Sequence, residues 1–161
     1  MDVIKSEYVV TEFLRQVPGA RDVLDEIRER DRDLGDGWGR GNVPDLLEFF
    51  LSAFSRPVLL PLLRNESVSM DDLAPCFRYL EGLCLNEEAY FRSSVEFGVL
   101  EQFLEGREII LRSYACSLPK TRAGVTGMLS QYPETYAGMR DDLDRIDGVR
   151  GEGPPSKRYP R

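Results

Sequence analysis

Three observations predict an all-α fold. Apolar residues recur at helical spacing through almost the whole chain, no stretch alternates with period two in Val, Ile and Thr, and Pro and Gly fall between the periodic stretches. The expectation is a single compact domain of six to eight short helices packed as antiparallel helical hairpins over residues 1–146. Residues 147–161, with no apolar stripe and three prolines, are expected to form a disordered C-terminal tail.

The elements follow in order. A first helix from Val3 to Gln16 carries Val10, Phe13, Leu14 and Val17 on one face and stops at Pro18-Gly19. A second starts at Ala20 with Val23, Leu24 and Ile27 inward and a mixed-charge outer face. Leu34–Asn42 holds four glycines and is a loop containing the one tryptophan, Trp38. Pro44 suits the first turn of a third helix, with Asn42 as its cap. Its residues Leu46, Leu47, Phe49, Phe50, Leu51 and Phe54 are apolar nearly all round, which predicts a central, buried helix. Pro57 and Pro61 bracket a short helical turn.

Ser69 caps a helix with Asp71 and Asp72 in its first turn, where the helix dipole favours negative charge. Asn86 opens another, expected to run to Glu105 with a kink near Gly98. Helices 107–118, a weaker 120–130 containing Gly124 and Gly127, and 133–146 complete the pattern. The expected core contains Phe13, Leu24, Leu47, Phe50, Phe54, Phe77, Leu80, Phe91, Val95, Leu100, Phe103, Leu111, Tyr114 and Leu143.

Composition excludes several kinds of chemistry. The chain has no histidine and three cysteines, so Ser-His-Asp and Cys-His nucleophiles, histidine bases and the usual zinc ligand sets are all unavailable. Cys76, Cys84 and Cys116, odd in number and widely spaced, are expected as buried free thiols. The net charge of −7 disfavours nucleic acid and favours a basic protein partner. The start MDVIKSEYVV lacks the basic and apolar regions of a signal peptide, and the longest apolar run, Pro57–Leu63, is short for a membrane span. A cytoplasmic location without membrane contact is the expectation.

Two constellations invite a functional reading. Asp31 and Asp33 start a calcium-loop pattern that then fails, with Gly35, Asp36 and Asn42 at positions that need other residues. The glycines do not complete a dinucleotide fingerprint either, since Arg40 stands where the last glycine belongs. The loop is therefore read as a helix connection with Trp38 folded back onto the core, or as a contact loop in which Asp36, Trp38 and Arg40 meet a partner. Asp141, Asp142, Asp144 and Asp147 form an acidic face opposite Met139, Leu143 and Ile146, suited to solvent or to a basic partner. No catalytic residue, metal ligand or cofactor is expected.

From Asn42 to Glu105 the stretches VPDLLEFFLSAF, APCFRYLEGL, LNEEA and VEFGVLEQFLE resemble a family of small bacterial helical proteins of uncharacterised function, some found in immunity-like settings. The resemblance implies a helical fold and carries over no site residues. Together these readings point to a non-catalytic protein-binding module of the immunity type, with Asp36, Trp38, Arg40, Asp141, Asp142 and Asp144 as candidate contacts. A small carboxylate enzyme at the Gly-rich loop and a structural or adaptor subunit that pairs with its own copies are the alternatives.

Overall fold

The computed structural model describes residues 1–33, 38 and 45–149. Among them lie eight α-helices and no strand, so the fold is all-α. The helices are α1 (Val9–Gln16), α2 (Ala20–Arg30), α3 (Leu46–Arg64), α4 (Met70–Cys84), α5 (Ala89–Gly98), α6 (Arg107–Cys116), α7 (Pro119–Leu129) and α8 (Pro133–Val149).

The first helix begins later than periodicity predicts. Residues 1–5 form no helix and lie on α4, where the Ile4 N–H donates to the Gly82 carbonyl (2.9 Å) and Asn86 Nδ2 donates to the Ile4 carbonyl (3.0 Å). A Cβ on Gly82 would stand 2.7 Å from Ile4 Cδ1, so glycine is what lets this segment close on the helix.

Helix α3 is continuous where two prolines suggested a separate turn. Asp45, rather than Asn42, supplies the cap, accepting from the Glu48 N–H at 3.0 Å; Asn42 and Pro44 lie outside the described residues. From Phe50 to Leu59 the helix widens to π geometry, and the Leu60 N–H reaches back five residues to Ser55. A proline lacks its N–H and its ring strikes the carbonyl four residues earlier in α geometry. The wider turn carries Pro57 past Ala53 and keeps the helix running. At 19 residues and a mean hydropathy of 1.6, α3 is long and apolar enough to cross a membrane by length and composition, which corrects the run-length reading. In this fold 56% of that apolar stretch is buried inside the protein.

Aromatic rings on α3 organise the core. Phe13 of α1 meets Phe49 edge-on at 5.4 Å, and Phe54 meets Tyr79 of α4 at 5.1 Å. Phe50 meets Phe91 of α5 at 5.9 Å. Such edge-to-face pairs add roughly 0.5–1.5 kcal/mol beyond the area they bury. Twelve of the fourteen expected core residues are buried, while Leu111 is half-buried and Leu47 is 36% exposed. Leu47 lies on the side of α3 that faces outward beside α5, a direction that an all-apolar helix does not reveal.

The expected helix 87–105 is two elements. Helix α5 ends at Gly98 and a 3-10 helix runs from Leu100 to Glu105. Gly98 packs on α3, where a Cβ would meet Phe50 Cβ at 2.8 Å, and its carbonyl accepts from the buried Ser55 hydroxyl. The last helix extends to Val149, beyond the expected domain end at 146, because Asp147 is tied to α6 and α7. The tail expected from 147 otherwise lies outside the described residues.

Phe50 and Leu47 separate the buried and exposed sides of α3. Phe50→Ala is expected to cost about 3–5 kcal/mol in urea unfolding. Leu47→Ala should cost less than about 1 kcal/mol in the same measurement.

Candidate interaction surfaces and internal charges

The charged side chains of the interior serve the helix ends. Helix α7 starts without a side-chain cap of its own. Glu81 of α4, only 5% exposed, takes that place: its carboxylate accepts from the Lys120 N–H (3.0 Å), the Thr121 N–H (2.7 Å) and the Thr121 hydroxyl (2.9 Å). Free N–H groups and the positive end of the helix dipole both favour a carboxylate there. This explains why residues 119–129 form a full helix despite two glycines. Arg112 of α6 does the converse at the end of α3, donating to the carbonyls of Leu63 (3.1 Å), Asn65 (2.7 Å) and Val68.

A third cluster holds α8. The Tyr114 hydroxyl donates to Asp147 at 2.9 Å, and Arg122 pairs with Asp147 at 3.3 Å while its guanidinium lies 4.8 Å from the Tyr114 ring centre. Farther along, Asp142 receives Arg107 and Arg145, the latter at 3.2 Å. The buried Tyr79 hydroxyl donates to the Val9 carbonyl at 2.9 Å, and desolvation, with Glu12 adding to it, raises its pKa well above the ordinary phenol range.

The three cysteines are free, as expected, but only Cys76 is fully buried, while Cys84 and Cys116 are half-buried. Burial pushes the Cys76 thiol up to about 11 and the Cys84 thiol up to about 12, and raises Cys116 in the same direction. Among the described residues no three Cys, Asp or Glu side chains converge as a metal site requires.

Three clefts open between described residues. A cleft of about 670 Å³ lies under the N-terminal segment, between Tyr8, Arg15 and Arg78. A second, of about 390 Å³, separates α5 from α7; there Glu87 faces Lys120 at 3.5 Å and Glu96 accepts from Gln131 at 2.6 Å. A third, of about 730 Å³, opens beside Arg64 and Glu105, which pair with each other.

The expected contact residues fare differently. Asp36 and Arg40 lie outside the described residues. Trp38 does not serve as a surface anchor: it is 1% exposed, with its ring edge-on to Phe49 at 5.0 Å. The reading that folds it back onto the core is the one that holds, because the ring finds an aromatic wall on α3 and leaves no surface for a partner. Asp141 and Asp144 are exposed on α8, whereas Asp142 is half-buried and engaged by two arginines.

Sequence reasoning also passed over Tyr90 and Phe97, which are 54% and 48% exposed. Their signal was present: they stand seven residues apart, off the Phe91-Val95 stripe that turns inward.

No family model, curated protein or solved structure matches the chain.

Two outcomes test the internal chemistry. With a pKa near 11, about one Cys76 in a thousand is thiolate at pH 8. The native protein should therefore react slowly with a disulfide reagent at that pH, and all three thiols should react promptly in guanidinium. Glu81→Ala leaves two α7 N–H groups without their acceptor, and should lower unfolding free energy by about 3 kcal/mol in urea melts.

Proposed function

We propose that this chain is a non-catalytic protein-binding module that recognises a basic protein partner. In its finer form the proposal is a cytoplasmic bacterial immunity protein that neutralises a toxin or effector by stoichiometric binding. The observation that carries the reading is the division of charge. Glu81, Arg112 and Arg122 are committed to backbone groups and to partners within the fold, while the carboxylates of Asp141 and Asp144 stand exposed on α8 in a chain of net charge −7. Exposed carboxylates raise the encounter rate with a cationic surface more than they raise affinity. The resemblance over residues 42–105 supports the immunity setting.

The test is association kinetics with the protein encoded beside this one. Asp141→Lys combined with Asp144→Lys moves the net charge from −7 to −3. The double variant should associate about tenfold more slowly at low salt and lose much of its salt dependence. Unchanged kinetics would remove α8 from the interface. Turnover of a small molecule, abolished by Glu87→Gln or Glu96→Gln, would overturn the binding reading as a whole.

A further inference from the structure

We propose that Leu47 of α3 with Tyr90 and Phe97 of α5 forms a docking surface for a cationic amphipathic segment of a protein partner. The inference rests on the binding reading above and names the surface and the partner's chemistry.

The platform is rigid on its inner side. Phe91, Ser94, Val95 and Gly98 form the buried face of α5, and Gly98 rests against Phe50 of α3. Leu47 Cδ1 comes within 3.4 Å of where a Gly98 Cβ would be, which brings the leucine alongside the end of α5 that bears Phe97. All three side chains nevertheless remain open to solvent, at 36%, 54% and 48% for Leu47, Tyr90 and Phe97. Tyr90 and Phe97 are two turns apart, about 10 Å along the helix. That separation matches apolar residues two turns apart on a partner helix. Aromatic side chains on a fixed helix are also the residue types that anchor interfaces.

Charge selects the occupant. The segments 45–49 and 87–101, which carry the three apolar residues, contain Asp45, Glu48, Glu87, Glu88, Glu96 and Glu101 against a single Arg92. They thus hold −5 of the chain's net −7 in a small part of its length. Ser52, Gln131 and Tyr132 donate to Glu48, Glu96 and Glu101 respectively, and these neutral donors leave the negative charge in place. Among the described residues, Glu87 is the one of these carboxylates that pairs with a cation, Lys120 at 3.5 Å, and it turns with Glu96 toward the α7 side. A second copy of this chain would bring the same exposed Asp45, Glu48 and Glu88 to the contact and be repelled. A segment with leucines on one face and lysines or arginines at its margins suits both the exposed rings and the exposed Asp45, Glu48 and Glu88 of the same two segments.

The probes are three short fluorescent peptides of one length: a Leu/Lys amphipathic helix, its Leu/Glu twin, and a Ser/Lys peptide of equal charge. Fluorescence anisotropy with the full chain should show binding of the Leu/Lys peptide, with the other two at least about tenfold weaker. Phe97→Ala and Tyr90→Ala should each weaken it about tenfold. Both side chains are exposed, so thermal melts by circular dichroism should match the wild type. Failure of the Leu/Lys peptide to bind, equal binding of the Ser/Lys peptide, or indifference to both substitutions overturns the proposal. So does a wild-type dimer in sedimentation velocity that Phe97→Ala dissociates. If only the Asp141 and Asp144 reversals weaken the peptide, this surface is wrong while the binding reading stands.

Discussion

A helix buried along most of its length cannot send its backbone groups to water, and α3 sets that constraint for this fold. Its carbonyls must be met inside the protein even though two prolines withhold their own N–H groups. The π-helical turn from Phe50 to Leu59 keeps the helix continuous, the Ser55 hydroxyl reaches across to Gly98, and Arg112 closes the far end. The ring contacts that bind α1, Trp38, α4 and α5 to α3 depend on that continuity, because Phe49, Phe50 and Phe54 must keep their angular order around one axis.

Short helices have many ends for their length, and each end exposes unpaired backbone groups. The protein meets part of this need with side chains from neighbouring helices. Glu81 sits at the start of α7 and Arg112 at the finish of α3, each with the sign the helix dipole favours. These contacts join residues about forty to fifty apart in the chain, so they fasten helices to each other as well as completing them. They also divide the ionisable groups by role. Charges that turn inward are spent on architecture, and the acidity that remains outside is available for recognition.

That division shapes the functional reading. The rings of Trp38 and Phe49 pack together in the interior, so the residue that looked most like an anchor contributes to stability instead. Aromatic surface appears on the outer side of α5, in a segment that also carries Glu87, Glu88 and Glu96. An apolar centre with an acidic margin can desolvate against a partner while its charge guides the approach.

The sequence by itself determined the all-α class, the central place of α3, the Ser69 cap and most of the core, since period and punctuation are local properties carried by residues such as Phe13, Phe77 and Phe103. It also contained the acidity. It did not determine which way Leu47 and Trp38 face, because an apolar residue in an all-apolar helix, or one set among glycines, has no periodic partner to fix its direction; Trp38 itself is helical where a loop was expected. It could not show that residues 1–5 abandon helix to lie on Gly82, or that Glu81 completes α7. Those outcomes depend on groups brought together only when the helices pack, where an unpaired buried N–H or carbonyl costs enough to override local preference.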